Sequence, residues 1–296
     1  MTLFKIYVAK QWKLFVIPII AMIGCISVDS AYPYLQKIFV DNIILGHMKN
    51  YLFVFLVVLI MLAITQGCLG YLKEYLFDKF ALIVCKELRQ DLYSKFQSFE
   101  FSFFDNNNTG ELLSRIIEDV DVVWDTLAFG MRVFIEAIIL FFVSAIIMFS
   151  LNPQLTVICL TVLLPVAYIG TIMDKKFWTV YSDISDQTAE INSIVQQDVS
   201  GIRLVKAFAR EKHEILKFLK INQKFFDLNV KQAKIVGTYG PLIEFLTNSA
   251  PISMIVYGGY LCIQGNLSLG SLVAFTSYIF NLSWCVRNLG LLINLL

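Results

Sequence analysis

Two long stretches of this chain are almost without charge. Between Val133 and Met173 the only Asp, Glu, Lys or Arg is Glu136, and between Ile235 and Val286 it is Glu244. A soluble domain carries about 25% charged residues spread along its sequence. This chain carries 16%, against 57% hydrophobic residues. Apolar runs of this length need hydrocarbon around them, so the chain is expected to be an integral membrane protein. That excludes an ordinary cytosolic enzyme, a secreted disulfide scaffold and a disordered linker. The net charge of +1 gives no pull toward nucleic acid. Cys25, Cys68, Cys85, Cys159, Cys262 and Cys285 show no metal-ligand spacing, so each is expected to act as a small buried hydrophobe.

The apolar sequence divides into six spans, at about 13–45, 51–103, 111–150, 154–204, 213–263 and 268–296. The first follows Lys5, Lys10 and Lys13 and runs too far to be a cleaved leader. On one side the breaks are short and made of turn residues: Gly46 to Asn50, Leu151-Asn152-Pro153, and Gln264-Gly265-Asn266-Leu267. Three hairpins result. On the other side the polar stretches are long, roughly 73–125 and 174–234. Of 24 Lys and Arg, only Lys49 lies in a short break, so the long stretches and the N-terminus are expected in the cytosol. Lys37 stands one helical turn before Asp41, so the two can pair on one helix face.

The long stretches are not ordinary loops. Pro is absent from 34 to 152 and from 166 to 240. Apolar residues recur at helical spacing, as in Leu82, Cys85, Leu88, Leu92, Phe96 and Phe99. A helix over Gln154–Lys206 would be roughly 75–80 Å long at 1.5 Å per residue. Only about 30 Å of that fits in hydrocarbon. The expected fold is therefore an all-α membrane protein with six long transmembrane helices extending into the cytosol, each extension interrupted once at its tip.

The first tip reads Phe103-Phe104-Asp105-Asn106-Asn107-Asn108-Thr109-Gly110-Glu111-Leu112-Leu113-Ser114-Arg115, with Asp119 after it. The second reads Gly201-Ile202-Arg203-Leu204-Val205-Lys206-Ala207-Phe208-Ala209-Arg210-Glu211. Both resemble signatures of the transmembrane domain of ATP-binding cassette (ABC) exporters of type I. The first helix, with Pro33 and Asp41, and the run Gly265-Asn266-Leu267-Ser268-Leu269-Gly270 through Phe275 resemble that family as well. The four matches occur in order and cover essentially the whole chain. The second tip departs from the family pattern just upstream, at Gln196 to Ser200.

The resemblance implies coupling helices at about 105–110 and 205–212, which dock on ATP-binding domains. The residues carried over are Phe104, Asp105, Asn106, Thr109 and Gly110 at the first tip. At the second they are Val205, Lys206, Phe208, Arg210 and Glu211. It implies a second transmembrane half, identical or homologous, and membrane lipids as surroundings. ATP and Mg would belong to an ATPase domain. The dipeptide Gly-Lys of a phosphate-binding loop occurs nowhere here, so the chain is expected to be a membrane-domain fragment, or one whose ATPase is separate. No cofactor and no catalytic or metal-ligating residue is expected on it, and the location implied is a bacterial cytoplasmic membrane.

Ionisable and polar groups within the spans are the candidates for a substrate pathway: Glu244, Asp29, Glu136, Asn248 and Asn281. Each can equally serve as interhelical glue. The expected function is outward movement of an amphipathic drug, lipid or peptide by alternating access. Its rivals are a gradient-driven secondary transporter, which the long charged extensions do not suit, an ion channel, for which no filter-like loop is seen, and a non-transport scaffold. The run from Arg203 to Lys234 has nine basic residues against three acids, and reads as a solvated helical face rather than a nucleic-acid site.

Overall fold

The computed structural model describes residues 7, 11–46, 51–106 and 109–292, and these are helical almost throughout. Helix α1 (Trp12–Ile38) continues into a wider π-helical stretch, Phe39–Leu45. Helix α2 (Leu52–Gln97) is followed by the short α3 (Phe101–Asn106) and α4 (Thr109–Ser114). Two further π-helical turns, Arg115–Asp119 and Thr126–Met131, flank α5 (Val120–Asp125) and lead into α6 (Arg132–Leu151). Then come α7 (Pro153–Ser200), the short α8 (Ile202–Ala207), α9 (Glu211–Ile263) and α10 (Leu269–Leu292).

The lengths bear out the helices that outreach hydrocarbon. The 48 residues of α7 and 53 of α9 make rods of about 72 and 80 Å at 1.5 Å per residue. Several boundaries differ from the sequence reading. α2 ends at Gln97 and α7 at Ser200, each a few residues early, because Ser98 and Gly201 end the helical run before the tip begins. The described tip helices span Phe101–Asn106 and Ile202–Ala207, not 105–110 and 205–212. Gly110, expected to break the chain, lies inside α4. Asn107, Asn108 and His47 fall outside the described residues. Five described helices are long and apolar enough to cross a membrane. α9 is not among them, since Thr247, Asn248, Ser249 and Ser253 dilute its apolar half.

The short turns follow from local chemistry. Asn152 caps α7: its Oδ1 accepts the N–H of Leu155 at 3.0 Å, with Pro153 opening the helix. At the end of α9, Gly265 takes φ +78°, the Asn266 N–H reaches Leu261 O at 2.9 Å and the Gly265 N–H reaches Cys262 O at 3.0 Å. This is a Schellman cap with its left-handed glycine.

The chain forms two compact units, residues 1–161 with 250–296, and residues 162–249. In the first, the core lies where α1, α2 and α6 meet: Met22, Ile26 and Phe77 are buried among Ile135, Ile139 and Val143. Tyr7, Phe80, Ala81, Val84, Leu127 and Ala128 extend it toward the tip side. Phe15 joins the two clusters, edge-on to Phe77 and 5.1 Å from Phe80. Helix α10 is the innermost span, with Phe275, Tyr278, Ile279, Leu282 and Cys285 inaccessible. Gly258 lets α9 approach closely, since a Cβ there would stand 2.4 Å from Leu272 and 3.4 Å from Leu155. The most apolar stretch of α2 has no buried residue. Cys68 lies on it exposed, contrary to expectation, whereas Cys25, Cys85, Cys159 and Cys285 are buried as expected. The second unit holds most of α7 and α9, where Lys176 Nζ lies 2.7 Å from the Tyr239 hydroxyl.

Candidate functional site

The polar residues of the first unit gather at two levels. At the short-loop end, the π-helical stretch after α1 shifts the register of its side chains and presents Asp41 to the start of α10. Asp41 Oδ1 accepts the Gly270 N–H at 2.8 Å and Oδ2 accepts the Ser268 hydroxyl at 2.7 Å. Ser268 Oγ in turn caps the Ser271 N–H at 3.1 Å. A Cβ at Gly270 would fall 2.3 Å from the Lys37 carbonyl oxygen and 2.7 Å from Asp41. The glycine is what lets the helices touch. Lys37 does not pair with Asp41 as the spacing suggested. It lies over the Tyr34 ring, 5.8 Å from its centroid, because the carboxylate is taken by a helix N-terminus with its unpaired N–H groups.

Deeper along the same helices stands a charged cluster. Lys73 on α2 and Glu136 on α6 form an ion pair at 2.7 Å, with side chains only 9% and 16% exposed. Arg132, one turn before Glu136 and 4.0 Å from it, pairs with Glu74, and Glu74 lies 3.8 Å from Lys73. Lys73 is about 30 Å along α2 from Leu52, near the far edge of the hydrocarbon. Beside the cluster, Asp29 on α1 accepts a hydrogen bond from Gln66 Nε2 and has the Cys25 thiol at 4.0 Å. Asp29 and Glu136, named from sequence as pathway candidates, thus share one region. Lys73 and Glu74 were missed, because they open the polar stretch counted as cytosolic.

The remaining pathway candidates are elsewhere. Asn281 is half-buried on α10 in the first unit, and Glu244 and Asn248 are exposed on α9 in the second. Among the described residues, Glu244 has no ion pair.

The first tip is built from aromatic rings. Phe103 stacks on Phe99 at 4.2 Å and edge-on to Phe104 at 5.6 Å, and Lys95 sits over Phe99. Phe104 borders a crevice of about 160 Å³ with Phe96, Leu112 and Ile116, so it packs largely on its own hairpin and is 37% exposed. Phe101, not singled out from sequence, is 91% exposed and is the aromatic group this tip offers outward. Asp105 is exposed, Asn106 closes α3 and Thr109 opens α4.

The second tip is a Schellman cap like that of α9, with Ala209 in the left-handed position at φ 50°. The Arg210 N–H bonds Val205 O at 3.0 Å and the Ala209 N–H bonds Lys206 O at 3.2 Å. A side chain at that φ costs about 1–2 kcal/mol. The Lys206–Glu211 ion pair at 3.0 Å straddles the turn. Glu211 bonds its own backbone N–H and then the Lys206 ammonium, which together hold its carboxyl below the usual carboxylate range. Phe208, 74% exposed, and Arg210 face outward from this turn, while Val205 is half-buried.

Comparisons with known proteins agree along the length of the chain. A family model described as "ABC transporter transmembrane region" matches residues 14–286. The Bacillus subtilis protein named "Uncharacterized ABC transporter ATP-binding protein YknU" is 32% identical over 291 residues, 98% of this chain and 50% of that protein. The Mus musculus ABC-type oligopeptide transporter ABCB9 is 27% identical over 92% of this chain and 35% of its own length. The ATP-dependent lipid A-core flippase of Desulfotalea psychrophila is 29% identical over 88% and 45%. The chain therefore spans about half or less of the length of these relatives.

Proposed function

The chain belongs to the ABC transporter transmembrane region family, and on that premise we propose that it forms one half of the membrane pathway of an ATP-driven exporter. The N-terminus and the long helical extensions lie in the cytosol, and the membrane is a bacterial cytoplasmic one. A second transmembrane half, identical or homologous, completes the pathway. ATP-binding domains dock at the two tips. ATP and Mg bind in those domains, and ATP supplies the energy that closes them.

One observation carries the reading. Helices of about 70–80 Å exceed a hydrocarbon layer of about 30 Å and are followed by short helices beside which Phe101 and Phe208 are exposed, available to a partner. An aromatic group exposed on a stiff support is suited to anchoring an interface. The Ala209 turn and the Lys206–Glu211 pair stiffen the second tip, and the Phe99–Phe103 stack stiffens the first. Motion delivered at either tip therefore passes into a helix that runs to the membrane. The names of the flippase and peptide-transporter relatives favour an amphipathic cargo.

The test uses the full-length protein with its ATPase domains in lipid vesicles, offered drug, lipid and peptide substrates. Substrate should raise ATP hydrolysis and accumulate in an ATP-dependent manner. Phe208→Ala and Phe101→Ala should keep basal hydrolysis and lose coupled transport. Wild-type transport in both variants would overturn the role of the tips, and transport driven by an ion gradient without ATP would overturn the exporter reading.

A further inference from the structure

The charged cluster of the first unit does not balance. Lys73 and Arg132 contribute two positive charges, and Glu74, Glu136 and Asp29 contribute three negative ones. Both cations are spent on glutamates, in the Lys73–Glu136 and Arg132–Glu74 pairs. Among the described residues Asp29 makes no ion pair. Its partners are the neutral Gln66 amide and the Cys25 thiol. An ionised carboxylate has about four acceptor sites, and these two groups leave capacity unused. A charge at this depth is costly unless something neutralises it. α10, packed against α1, offers Arg287, which is exposed and forms no ion pair among the described residues.

Resting on the reading of this bundle as a transport pathway, the geometry points to Asp29 as a binding carboxylate for the cationic group of the transported molecule. The ligand class is a lipophilic organic cation, an ammonium, guanidinium or phosphonium on an apolar body. Its charge completes the cluster to neutrality, and Gln66 orients the carboxylate that receives it. The Lys73–Glu136 and Arg132–Glu74 pairs keep their own cations and act as a fixed neutral background. An anionic ligand meets the surplus carboxylate and is excluded. Half-buried Asp29 and exposed Gln66 leave an approach from the surface of the unit, unlike Lys73, which is enclosed.

The experiment is equilibrium binding to the purified full-length protein in lipid nanodiscs, without ATP, using two probes of matched shape and opposite charge. Tetraphenylphosphonium should bind and tetraphenylborate should not. Asp29→Asn should weaken tetraphenylphosphonium by about tenfold or more, the loss of one charge-assisted contact, and Asp29→Glu should retain it. Gln66→Lys, at an exposed position, places a built-in ammonium against Asp29 and should abolish phosphonium binding without disturbing the fold. Equal binding of both probes, or wild-type phosphonium binding in Asp29→Asn or Gln66→Lys, overturns the proposal. A permanently protonated Asp29 would give that last result, since it would already behave as its amide. Asp29-dependent binding that never alters ATP hydrolysis would leave this site standing and sink the exporter reading instead. ATP-driven transport indifferent to Asp29 would do the reverse.

Discussion

Helix α1 and its π-helical continuation carry two aspartates that meet opposite surroundings. Asp41, at the short-loop end, is held by a backbone N–H and a hydroxyl at the start of α10, at 2.8 and 2.7 Å. Asp29, deeper in the bundle, lies beside a charged cluster, yet its hydrogen-bond partners among the described residues are a neutral amide and a thiol. A carboxylate satisfied by a helix N-terminus is fixed, because the dipole it answers is part of the backbone. One satisfied by a neutral side chain keeps capacity for another partner. The first therefore fastens two helices, and the second is free to recognise a ligand.

Substitutions can break this contrast. The largest effect is expected at the cluster. Lys73→Met strands Glu136, and losing one member of a buried pair costs about 3–5 kcal/mol, part of it offset by Arg132. Thermal unfolding in detergent should show a large drop, and Lys73→Met with Glu136→Leu should recover most of it. No recovery would mean the pair does more than neutralise itself. Gly270→Ala should come next. Its Cβ would press on the Lys37 carbonyl and force α10 from α1, an overpacking that costs about 1–3 kcal/mol. A variant as stable as wild type would show that the two helices separate without penalty.

Asp41→Ala should cost about 1–2 kcal/mol, the worth of a cap, read by the same melting measurement. Asp41→Asn should cost less, since an amide oxygen still accepts the Gly270 N–H. Equal losses would show that charge, rather than acceptor geometry, matters there. The smallest effect is expected at Glu211, a third carboxylate, in solvent at the second tip. Its folded pKa is lowered, so its contribution is present above the ordinary glutamate range and fades as pH falls through the lowered value. Hydrogen exchange of the amides around Ala209 should accelerate only in acid, and should do so at higher pH in Lys206→Ala.

Much of the architecture was legible in the chain. The charge-free runs pointed to membrane-spanning helices, and five described helices are long and apolar enough to cross a membrane; Asn152-Pro153 and Gly265-Asn266 marked turns through capping chemistry that needs no distant partner. The tips were visible because Asn and Gly interrupt a long Pro-free pattern, although their helices begin a few residues earlier than the family resemblance implied. The ring that the first tip exposes was not legible. Phe101, Phe103 and Phe104 look alike in sequence, and only the stack on Phe99 and the crevice with Leu112 decide that Phe101 is left outside.

By itself the sequence determined the helices, their reach beyond the lipid and the family, since periodicity, hydropathy and local capping act between near neighbours. Tertiary structure alone decided which charges are partners. Lys73 finds Glu136 across 63 residues, and Asp41 abandons the nearby Lys37 for Gly270 across 229. Electrostatic pairing depends on distance in space, and in a bundle of long helices that distance is set by which faces pack together.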